Sequence, residues 1–492
     1  MPQLACCSPS LPQPDRLVQA PRIPDVIMNN QKIVDVDAVL DTARFRGLPL
    51  LVMIGAATIM ILDGFDIQVI GFAAPAIATD LGVDRKALAP ALAASLIGMA
   101  IGGFVLGPWG DRYGRRPALL LSSLLFGLGT LATAAISSLE MLAVLRLITG
   151  IGLGGALPNS TALMAEFSPP RIRAQTIAVA IAGVPVGGMM GAAIAAEVIP
   201  AFGWKAIFVI GGVLPLFATI AIYFLLPESA RYLISRPGRE RELAAILNRL
   251  VDGRRFSGDE RFVTASQAAK QSADGVFAAE RLRDTIVLWM LFGSCLFAVY
   301  CFYNWSPVVL NSLGMELATA VRGSLVFNTA GVIGSLVASS FVARFGSRVP
   351  LAVLCVIGAL ALYWVGQLVG TSAQAPGQGA SDLPVVAIMT GIGIAGFCIL
   401  ALQVMLYAVA ANVYPTSCRS TGVGWAQSVG RLGGVLSAFG GAAILARTGS
   451  SGFFVTITFV LALTLLAVLL LQRHIRSTRQ GVALESAQLP SR

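Results

Sequence analysis

Two acidic residues within an apolar helix are the most chemically suggestive feature of the sequence. Asp63 and Asp66 lie in LDGFDIQVIGFAAPAI (62–77). Three residues apart, they share one helix face and can point into a central cavity. Each carboxylate near mid-bilayer costs about 2.5–3.5 kcal/mol, and two neighbouring charges oppose each other's ionisation. We therefore expect the pair to carry protons. The structural alternative is a helix broken at Gly64, whose carboxylates bond a neighbouring helix or lie in its outer half.

Arg431 is a second charged residue in apolar surroundings, with SVG before it and LGG after it. A buried guanidinium without an acidic neighbour in sequence requires an anion, and its planar fork matches a carboxylate. We expect Arg431 to bind a substrate carboxylate, with the adjacent glycines leaving room for a ring. The alternative is a structural ion pair with Asp63, Asp66 or another acid, which could itself act as a proton switch.

The composition excludes a set of soluble domains. Of the 492 residues, 56% are hydrophobic and 12% charged, and the mean hydropathy is +0.78. Apolar stretches long enough to cross about 30 Å of hydrocarbon recur along the chain. We predict an all-α polytopic membrane protein with twelve spans at 47–78, 87–109, 117–137, 139–163, 174–197, 204–226, 285–311, 320–342, 349–370, 384–411, 420–445 and 452–472.

Charge distribution sets the predicted orientation and domain boundaries. Most of the 35 Lys and Arg residues fall on one side of these spans, which by the positive-inside rule is cytoplasmic and holds both termini. The predicted units are a partly disordered cytoplasmic amino-terminal tail (1–46), an N-terminal six-helix bundle (47–226), a cytoplasmic central loop (227–284), a C-terminal six-helix bundle (285–472) and a cytoplasmic carboxy-terminal tail (473–492). Within the first tail, residues 1–28 read as disordered, and Ile33, Val36, Val39 and Leu40 predict an amphipathic helix on the inner surface.

The two bundles resemble each other in sequence. EFSPPRIRAQT (166–176) and NVYPTSCRSTG (412–422) align at an offset of 246, which also pairs Gly187 and Gly188 with Gly433 and Gly434. GDRYGRRP (110–117) has a weaker counterpart in ARFGSRVP (343–350). Duplicated halves of equal orientation place a pseudo-twofold axis along the membrane normal and the substrate between the halves.

These segments resemble a known family. GPWGDRYGRRP after span 2, RLITGIGLGGALP in span 4 and PESARYLISRPG after span 6 resemble the signatures of the major facilitator superfamily. The span 1 stretch and the preceding VDVDAVLD resemble its aromatic acid:proton symporters, which import benzoate-like and hydroxylated aromatic acids into bacteria. The resemblance implies the major facilitator fold, with two pseudo-symmetric six-helix bundles in the inner membrane.

The resemblance also implies roles for particular residues. The aromatic acid family carries an Arg in span 11, the position of Arg431, and the superfamily commonly has a buried Arg in span 4, where Arg146 stands. Arg146 is a partner for a span 1 carboxylate, a second anion contact or a packing residue. A cytoplasmic gate is expected to contain Asp111, Arg112, Gly114, Arg115, Arg116, Glu166 and Arg173. Glu166 is expected to join Arg112, Arg116 and Arg173 rather than to carry protons.

Polar and aromatic residues within the spans are candidates for contacting the ring of the substrate. YCFYNWSP (300–307) in span 7 supplies aromatic side chains that either stack on the ring or lie at the membrane interface. The candidates for substrate binding, besides Arg431 and Arg146, are Tyr303, Asn328, Gln403, Tyr407 and Gln427.

We therefore predict a proton-coupled importer of an aromatic carboxylate that works by alternating access and functions as a monomer in the bilayer. Its partners are the aromatic acid and protons, and we expect no nucleic acid, cofactor or metal. The seven Cys residues lack metal-ligand spacing, and His474 is the single histidine. Alternatives are a carrier of non-aromatic organic anions, an efflux antiporter, or a membrane enzyme or sensor. No nucleophile with a base is apparent, which disfavours an enzyme.

Overall fold

A computed structural model describes residues 26–28, 31–170, 172–251, 255–263, 276–374, 384–414 and 419–475. The first half of the fold contains α2 to α8, preceded by a short helix, α1. Their bounds are α1 Val36–Thr42, α2 Leu48–Leu81, α3 Ala89–Tyr113, α4 Arg115–Thr133, α5 Leu139–Phe167, α6 Arg173–Ile181, α7 Gly183–Phe202 and α8 Trp204–Leu225. A 3₁₀ turn, Arg85–Leu88, precedes α3. Helix α6 ends before α7 because Pro185 has no N–H to continue the ladder of backbone hydrogen bonds.

The second half follows a polar insert. The insert contains α9 Ala230–Ile234, α10 Glu240–Asn248 and strand β3 Arg261–Val263. The second half consists of α11 Ala279–Ser312, α12 Leu317–Phe345, α13 Arg348–Gln374, α14 Val385–Val413 and α15 Arg419–Leu470. Helix α11 begins six residues before the predicted start of the second bundle at 285, within the segment predicted as central loop.

Eleven helices in the described part of the chain are long and apolar enough to cross a membrane. The last, α15, has 52 residues, and a straight helix of that length would extend roughly 78 Å, more than twice the hydrocarbon thickness. Its path is broken at Gly449 (φ 66°, ψ −165°), a conformation open to glycine but not to other residues. Gly449 lies between predicted spans 11 and 12, so α15 contains both of them.

The segment before the first span is folded against the protein. Strand β2 (Gln31–Asp35) pairs antiparallel with β1 (Val26–Met28) and parallel with β3 of the insert. Val36, Val39 and Leu40 are buried in an apolar cluster with α2, α5 and the insert. The predicted helix is present as α1, with Val36, Val39 and Leu40 on its buried face. Its predicted place on the membrane surface is wrong because protein covers that face, and Ile33 lies in strand β2 instead of the helix. Of the stretch predicted as disordered, residues 1–25 are outside the described residues, as are 476–492 of the predicted carboxy-terminal tail.

The internal repeat reappears as repeated packing. A side chain at Gly187 would collide with the Ile61 carbonyl, and one at Gly433 with the Gly293 carbonyl. The glycines are 246 residues apart and their two contacts 232 apart. The span pairs α7–α2 and α15–α11 thus pack alike in the two halves, backbone against backbone.

The helix bundle has two ends, here named the insert end and the far end. The insert end is where α8 ends at Leu225 and α11 begins at Ala279. The far end is where α2 ends at Leu81 and α11 ends at Ser312.

Candidate functional site

A cavity of about 1010 Å³ lies between the two halves. Both halves supply its walls, which are mainly apolar. The lining residues that can bond or stack on a ligand include Asp63 from the first half, and Tyr300, Tyr303, Gln403, Tyr407, Gln427 and Arg431 from the second. This volume is at the upper end of the roughly 300–1,000 Å³ of small-molecule sites, so the cavity accommodates a small organic acid together with water.

The cavity opens toward the insert end. Thr161 near the end of α5, Ile177 in α6 and Val423 near the start of α15 line it there. At the far end the halves are joined by side chains, since Arg85 Nη2 donates to Asn311 Oδ1 at 2.7 Å and Arg322 Nη2 to Glu197 Oε1 at 2.8 Å. The described structure is therefore closed at the far end and open at the insert end.

Asp63 is the acidic residue that faces this cavity. Its side chain is 3% exposed, and its Oδ1 has no hydrogen-bond partner among the described residues. Helix α2 runs unbroken through Gly64, which lets α2 approach the Val184 carbonyl of α7. The alternative of a helix broken at Gly64 is therefore wrong.

Arg431 reaches across the boundary between the halves from α15. Its Nη1 donates to the Met99 carbonyl of α3 at 3.4 Å, and a Cβ at Gly103 would lie 2.6 Å from that nitrogen. Arg431 and Asp63 both line the cavity. The expectation that the glycines beside Arg431 leave room for a ring is wrong, because Gly430 and Gly433 pack against α11. It is Gly103, on the facing helix, that leaves space for the guanidinium.

Asp66 does not share the environment of Asp63. It pairs with Arg146 of α5 at 3.3 Å (Nη1 to Oδ2), and both side chains are fully buried. Thr130 donates to its other oxygen. The lining of the cavity includes neither Asp66 nor Arg146. The expectation that the two acids point together into the cavity is therefore wrong, and Arg146 takes the first of its three predicted roles, that of partner to a span 1 carboxylate.

Threonines and an aromatic ring complete the surroundings of Arg146. Its Nη2 donates to the hydroxyls of Thr133 at 2.9 Å, Thr130 at 3.3 Å and Thr149 at 3.4 Å. The guanidinium carbon lies 5.4 Å from the centre of the Phe208 ring. Such a set of partners compensates a charge removed from water and fixes its position within the first half.

The predicted substrate contacts divide into two groups. Tyr303, Gln403, Tyr407 and Gln427 line the cavity, as does Tyr300, whose ring meets that of Tyr303 edge-on at 6.0 Å. Asn328 is not among the lining residues. It is fully buried and bonds Gln68 of the first half. Phe302, Asn304 and Trp305 of the same aromatic stretch are buried outside the lining as well.

The residues predicted to form a gate lie at the insert end. Asp111 pairs with Arg115 one turn later, and Arg115 also donates to Asn159 Oδ1 at 3.2 Å. Arg116 donates to the Tyr223 carbonyl, and the Arg112 carbonyl accepts from Arg236. Each of these contacts described for the predicted gate stays within the first half and the insert. They therefore do not hold the two halves together in this open state.

Glu166 and Arg173 have partners other than those predicted. Both carboxylate oxygens of Glu166 lie within 2.9 Å of Ser229 Oγ, and Arg173 donates to Asp41 at 2.9 Å. In the described contacts Glu166 bonds none of Arg112, Arg116 and Arg173, so the predicted network is wrong. Ser229 belongs to the insert and Asp41 to the amino-terminal segment. The Glu166–Ser229 and Arg173–Asp41 contacts therefore attach both segments to the first half.

Glu228 is a site residue that the sequence analysis missed. Its Oε1 accepts from the backbone N–H groups of Arg115, Arg116 and Ser229 at 2.8, 3.2 and 2.8 Å, so it caps the start of α4. Burial raises the pKa of Glu228 above its ordinary 4.5, and these N–H groups partly oppose the rise. Gly114 (φ 113°) makes the turn before α4, and a side chain there would collide with Glu228. The signal in the sequence was the Glu of PESARYLISRPG, directly after predicted span 6.

Gln68 was also missed. It lies five residues after Asp63 on α2, is fully buried and bonds Asn328 of the second half. The signal was a single amide side chain in an otherwise apolar stretch, two residues after Asp66.

Comparisons with known proteins agree with this architecture. The profile of the Major Facilitator Superfamily matches residues 56–375. A gallate transporter of Pseudomonas putida is 34% identical over 84% of this chain and 89% of its own length. The 4-hydroxybenzoate transporter PcaK of Acinetobacter baylyi is 34% identical over 85% of this chain and 89% of its own length. A partially occluded inward-open structure of the xylose transporter XylE from Escherichia coli superposes with a TM-score of 0.67 at 17% identity, covering 86% of this chain and 96% of that one.

Two bundles of membrane-crossing helices around a shared cavity define a multi-pass membrane transporter of the major facilitator fold, and the predicted fold class is confirmed. The chain belongs to the aromatic acid transporter family of that superfamily, as the span 1 resemblance predicted. Members of this family are transporters and not enzymes, so the alternative of a membrane enzyme is excluded.

Proposed function

We propose that this transporter imports an aromatic carboxylate together with protons, as a monomer in the bacterial inner membrane with both termini in the cytoplasm. The observation that carries the proposal is the cavity between the halves, with the Asp63 carboxylate on one wall and the Arg431 guanidinium reaching in from the other. In this orientation the insert end is cytoplasmic and the far end is periplasmic. The location of most Lys and Arg residues on the insert side supports it.

The substrate carboxylate binds Arg431. The guanidinium can give two parallel hydrogen bonds, while its contact with the Met99 carbonyl, at 3.4 Å, is a long one that a carboxylate can replace. The rings of Tyr300, Tyr303 and Tyr407 supply apolar surface for an aromatic ring. Gln403 and Gln427 can bond ring hydroxyls, which suits relatives named for gallate and 4-hydroxybenzoate.

Asp63 carries the coupled proton. When ionised, it attracts Arg431 and competes with the substrate carboxylate. When protonated, it leaves the guanidinium free to bind the anion, so loading of proton and substrate is linked. Asp66 is already compensated by Arg146 and Thr130, and it holds Arg146 in place instead of exchanging protons with the cavity. This assignment narrows the predicted proton-carrying pair to one residue.

The driving force depends on how many protons accompany each substrate. One proton with one monoanion moves no net charge, so accumulation gains about 1.4 kcal/mol, or tenfold, per pH unit. A second proton would add the same again, and about 2.3 kcal/mol per 100 mV of membrane potential. Because Asp63 is the one carboxylate among the described residues that line the cavity, we propose a stoichiometry of one, for which membrane potential alone does not drive uptake.

The test is transport by purified protein in liposomes, with radiolabelled 4-hydroxybenzoate as the probe. The Asp63→Asn variant is expected to exchange internal for external substrate but to lose accumulation driven by a pH gradient. Arg431→Gln is expected to lose both activities, and Arg431→Lys to bind at least about tenfold more weakly because it lacks the fork. Asp259→Asn, at an exposed position of the insert outside the predicted gate, serves as the matched control.

Three outcomes contradict the proposal. Gradient-driven accumulation by Asp63→Asn at the rate of the unaltered protein removes Asp63 from coupling. Preference for aliphatic over aromatic acids in competition with the label indicates a carrier of non-aromatic anions. Stimulation of efflux by an inward proton gradient indicates antiport.

A further inference from the structure

Two buried amide side chains join the halves just beyond the cavity. Asn328 Nδ2 donates to Gln68 Oε1 at 2.8 Å, and Gln68 Nε2 donates to Asn328 Oδ1 at 3.2 Å. Both residues are 0% exposed. The remaining Nδ2 hydrogen of Asn328 is directed to the Ser324 carbonyl at 2.8 Å. This reciprocal pair is here called the amide clasp.

The amide clasp lies on the far side of the proposed binding site. Gln68 follows the cavity-lining residue Ile67 and is more than one turn beyond Asp63 toward the far end. One turn further, Gly71 lies so close to the Tyr303 carbonyl of the second half that a side chain there would collide with it. The halves are thus in contact from the clasp outward, whereas from Asp63 inward the cavity separates them except where Arg431 reaches α3.

The clasp cannot be opened without replacement of its hydrogen bonds. An amide group without a hydrogen-bond partner in an apolar interior has lost its bonds to water and gains none from the protein, which costs free energy. Separation of α2 from α12 is therefore favourable only if water or ligand enters between them. We propose that the amide clasp holds the far-end gate closed in this state, and that its separation is the step that opens the binding site to the far end.

One glycine fits the clasp closely. A Cβ at Gly188 of α7 would collide with Gln68 Nε2. The position therefore accepts Gln68 in its paired conformation only without a side chain. The same Cβ would lie 2.5 Å from Gln68 Cδ and 2.7 Å from Gln68 Oε1, so a substitution at Gly188 disturbs the clasp while keeping both amides.

The cross-half ion pair at this end is a weaker candidate for holding the gate closed. The side chains of Arg322 and Glu197 are 56% and 73% exposed. Ion pairs at such exposure contribute little because water competes for both partners. We therefore expect the Glu197–Arg322 pair to be dispensable for closure.

The experiment measures the distance between the halves directly in substrate-free protein. Spin labels at Phe202→Cys and Val386→Cys, both exposed at the far end, report that distance by pulsed electron resonance after the native cysteines are replaced. Loss of two neutral hydrogen bonds is expected to raise the ratio of long to short distances about tenfold in Gln68→Ala and in Asn328→Ala. Gly188→Ala is expected to produce the same shift.

Matched controls and a double variant make the test decisive. Thr329→Ala, next to Asn328 but bonded only within its own helix, and Arg322→Ala are expected to leave the distances unchanged. The double variant Gln68→Ala/Asn328→Ala is expected to shift no further than either single change, because partners in one contact are coupled. Unchanged distances in both single amide variants, or effects that simply multiply in the double variant, overturn the proposal. If Gly188→Ala fails to insert, the two amide variants and their double decide the matter. The role of the gate rests on the proposed transport function. Because the distances are measured without substrate, unchanged distances would overturn the clasp proposal and leave the transport proposal standing.

Discussion

Asp63 and Asp66 offer a sharp comparison, since the same substitution is made three residues apart in two different environments. Asp66 and Arg146 are fully buried partners, whereas Asp63 has an oxygen without a hydrogen-bond partner in the described structure. Replacement of Asp66 by Asn keeps the shape of the side chain but leaves the Arg146 guanidinium without its counter-charge. Removal of one partner of a buried pair costs about 3–5 kcal/mol. We therefore expect Asp66→Asn to lower the free energy of unfolding by that amount.

Asp63→Asn is expected to cost less than about 1 kcal/mol or to stabilise the protein. An amide is cheaper to bury than a carboxylate, and the change breaks no described hydrogen bond at Oδ1. The double variant Asp66→Asn/Arg146→Gln is expected to recover most of the loss, because it leaves no uncompensated charge.

The assay is unfolding of purified protein in detergent with increasing SDS, followed by far-ultraviolet circular dichroism. All four proteins are compared at the same pH and detergent concentration. Equal midpoints for Asp63→Asn and Asp66→Asn would refute the distinction between the two environments. A double variant no more stable than Asp66→Asn would refute compensation as the role of the pair.

Two further predictions concern Glu228 at the insert end and Gly449 between predicted spans 11 and 12. Glu228→Gln is expected to keep the three N–H bonds, all of which go to Oε1, and to remove a pH dependence of stability. Because burial raises the pKa of Glu228, the native state holds the proton more tightly than the unfolded chain. The stabilisation from protonated Glu228 is therefore complete below about pH 4.5 and is lost as the pH rises through the raised pKa of Glu228. Thermal stability measured from pH 4 to 8 should thus fall less in Glu228→Gln than in the unaltered protein. An identical pH profile in the two proteins would count against this account. Gly449→Ala is expected to cost about 1–3 kcal/mol in the SDS assay, because its φ of 66° and ψ of −165° suit glycine. Gly424→Ala, where a Cβ meets nothing within 4 Å, is the control, and equal losses would contradict the reasoning.

The fold was largely predictable because its signals are long and repeated. Spans of about twenty apolar residues have few alternatives in a membrane, and Gly187 and Gly433 repeat at one offset because they make the same packing contact in both halves. The amino-terminal segment was not predictable in the same way. Its apolar face is equally suited to a lipid surface and to a protein surface, and only the folded insert decides between them.

The site was predictable in residue type but not in pairing. Helical periodicity places Asp63 and Asp66 near each other, yet their neighbours belong to other helices, and only the packing of α5 brings Arg146 to one acid and not the other. In the sequence, Asn328 is a polar residue within a span, and this pattern is the same whether its side chain faces a substrate or another amide. Its partner Gln68 lies 260 residues away, so no local pattern reveals the contact.

The amino-terminal segment is tied to one half alone in the described contacts. Asp37 pairs with Arg231 at 3.1 Å and Asp41 with Arg173 at 2.9 Å, and the apolar cluster beneath them contains residues of the first half and the insert. In the proposed alternating access, this segment is therefore expected to move together with the first half and not to link the two halves. A fluorescent domain fused before it would thus report motion of that half relative to a label on α14, without restraining the motion.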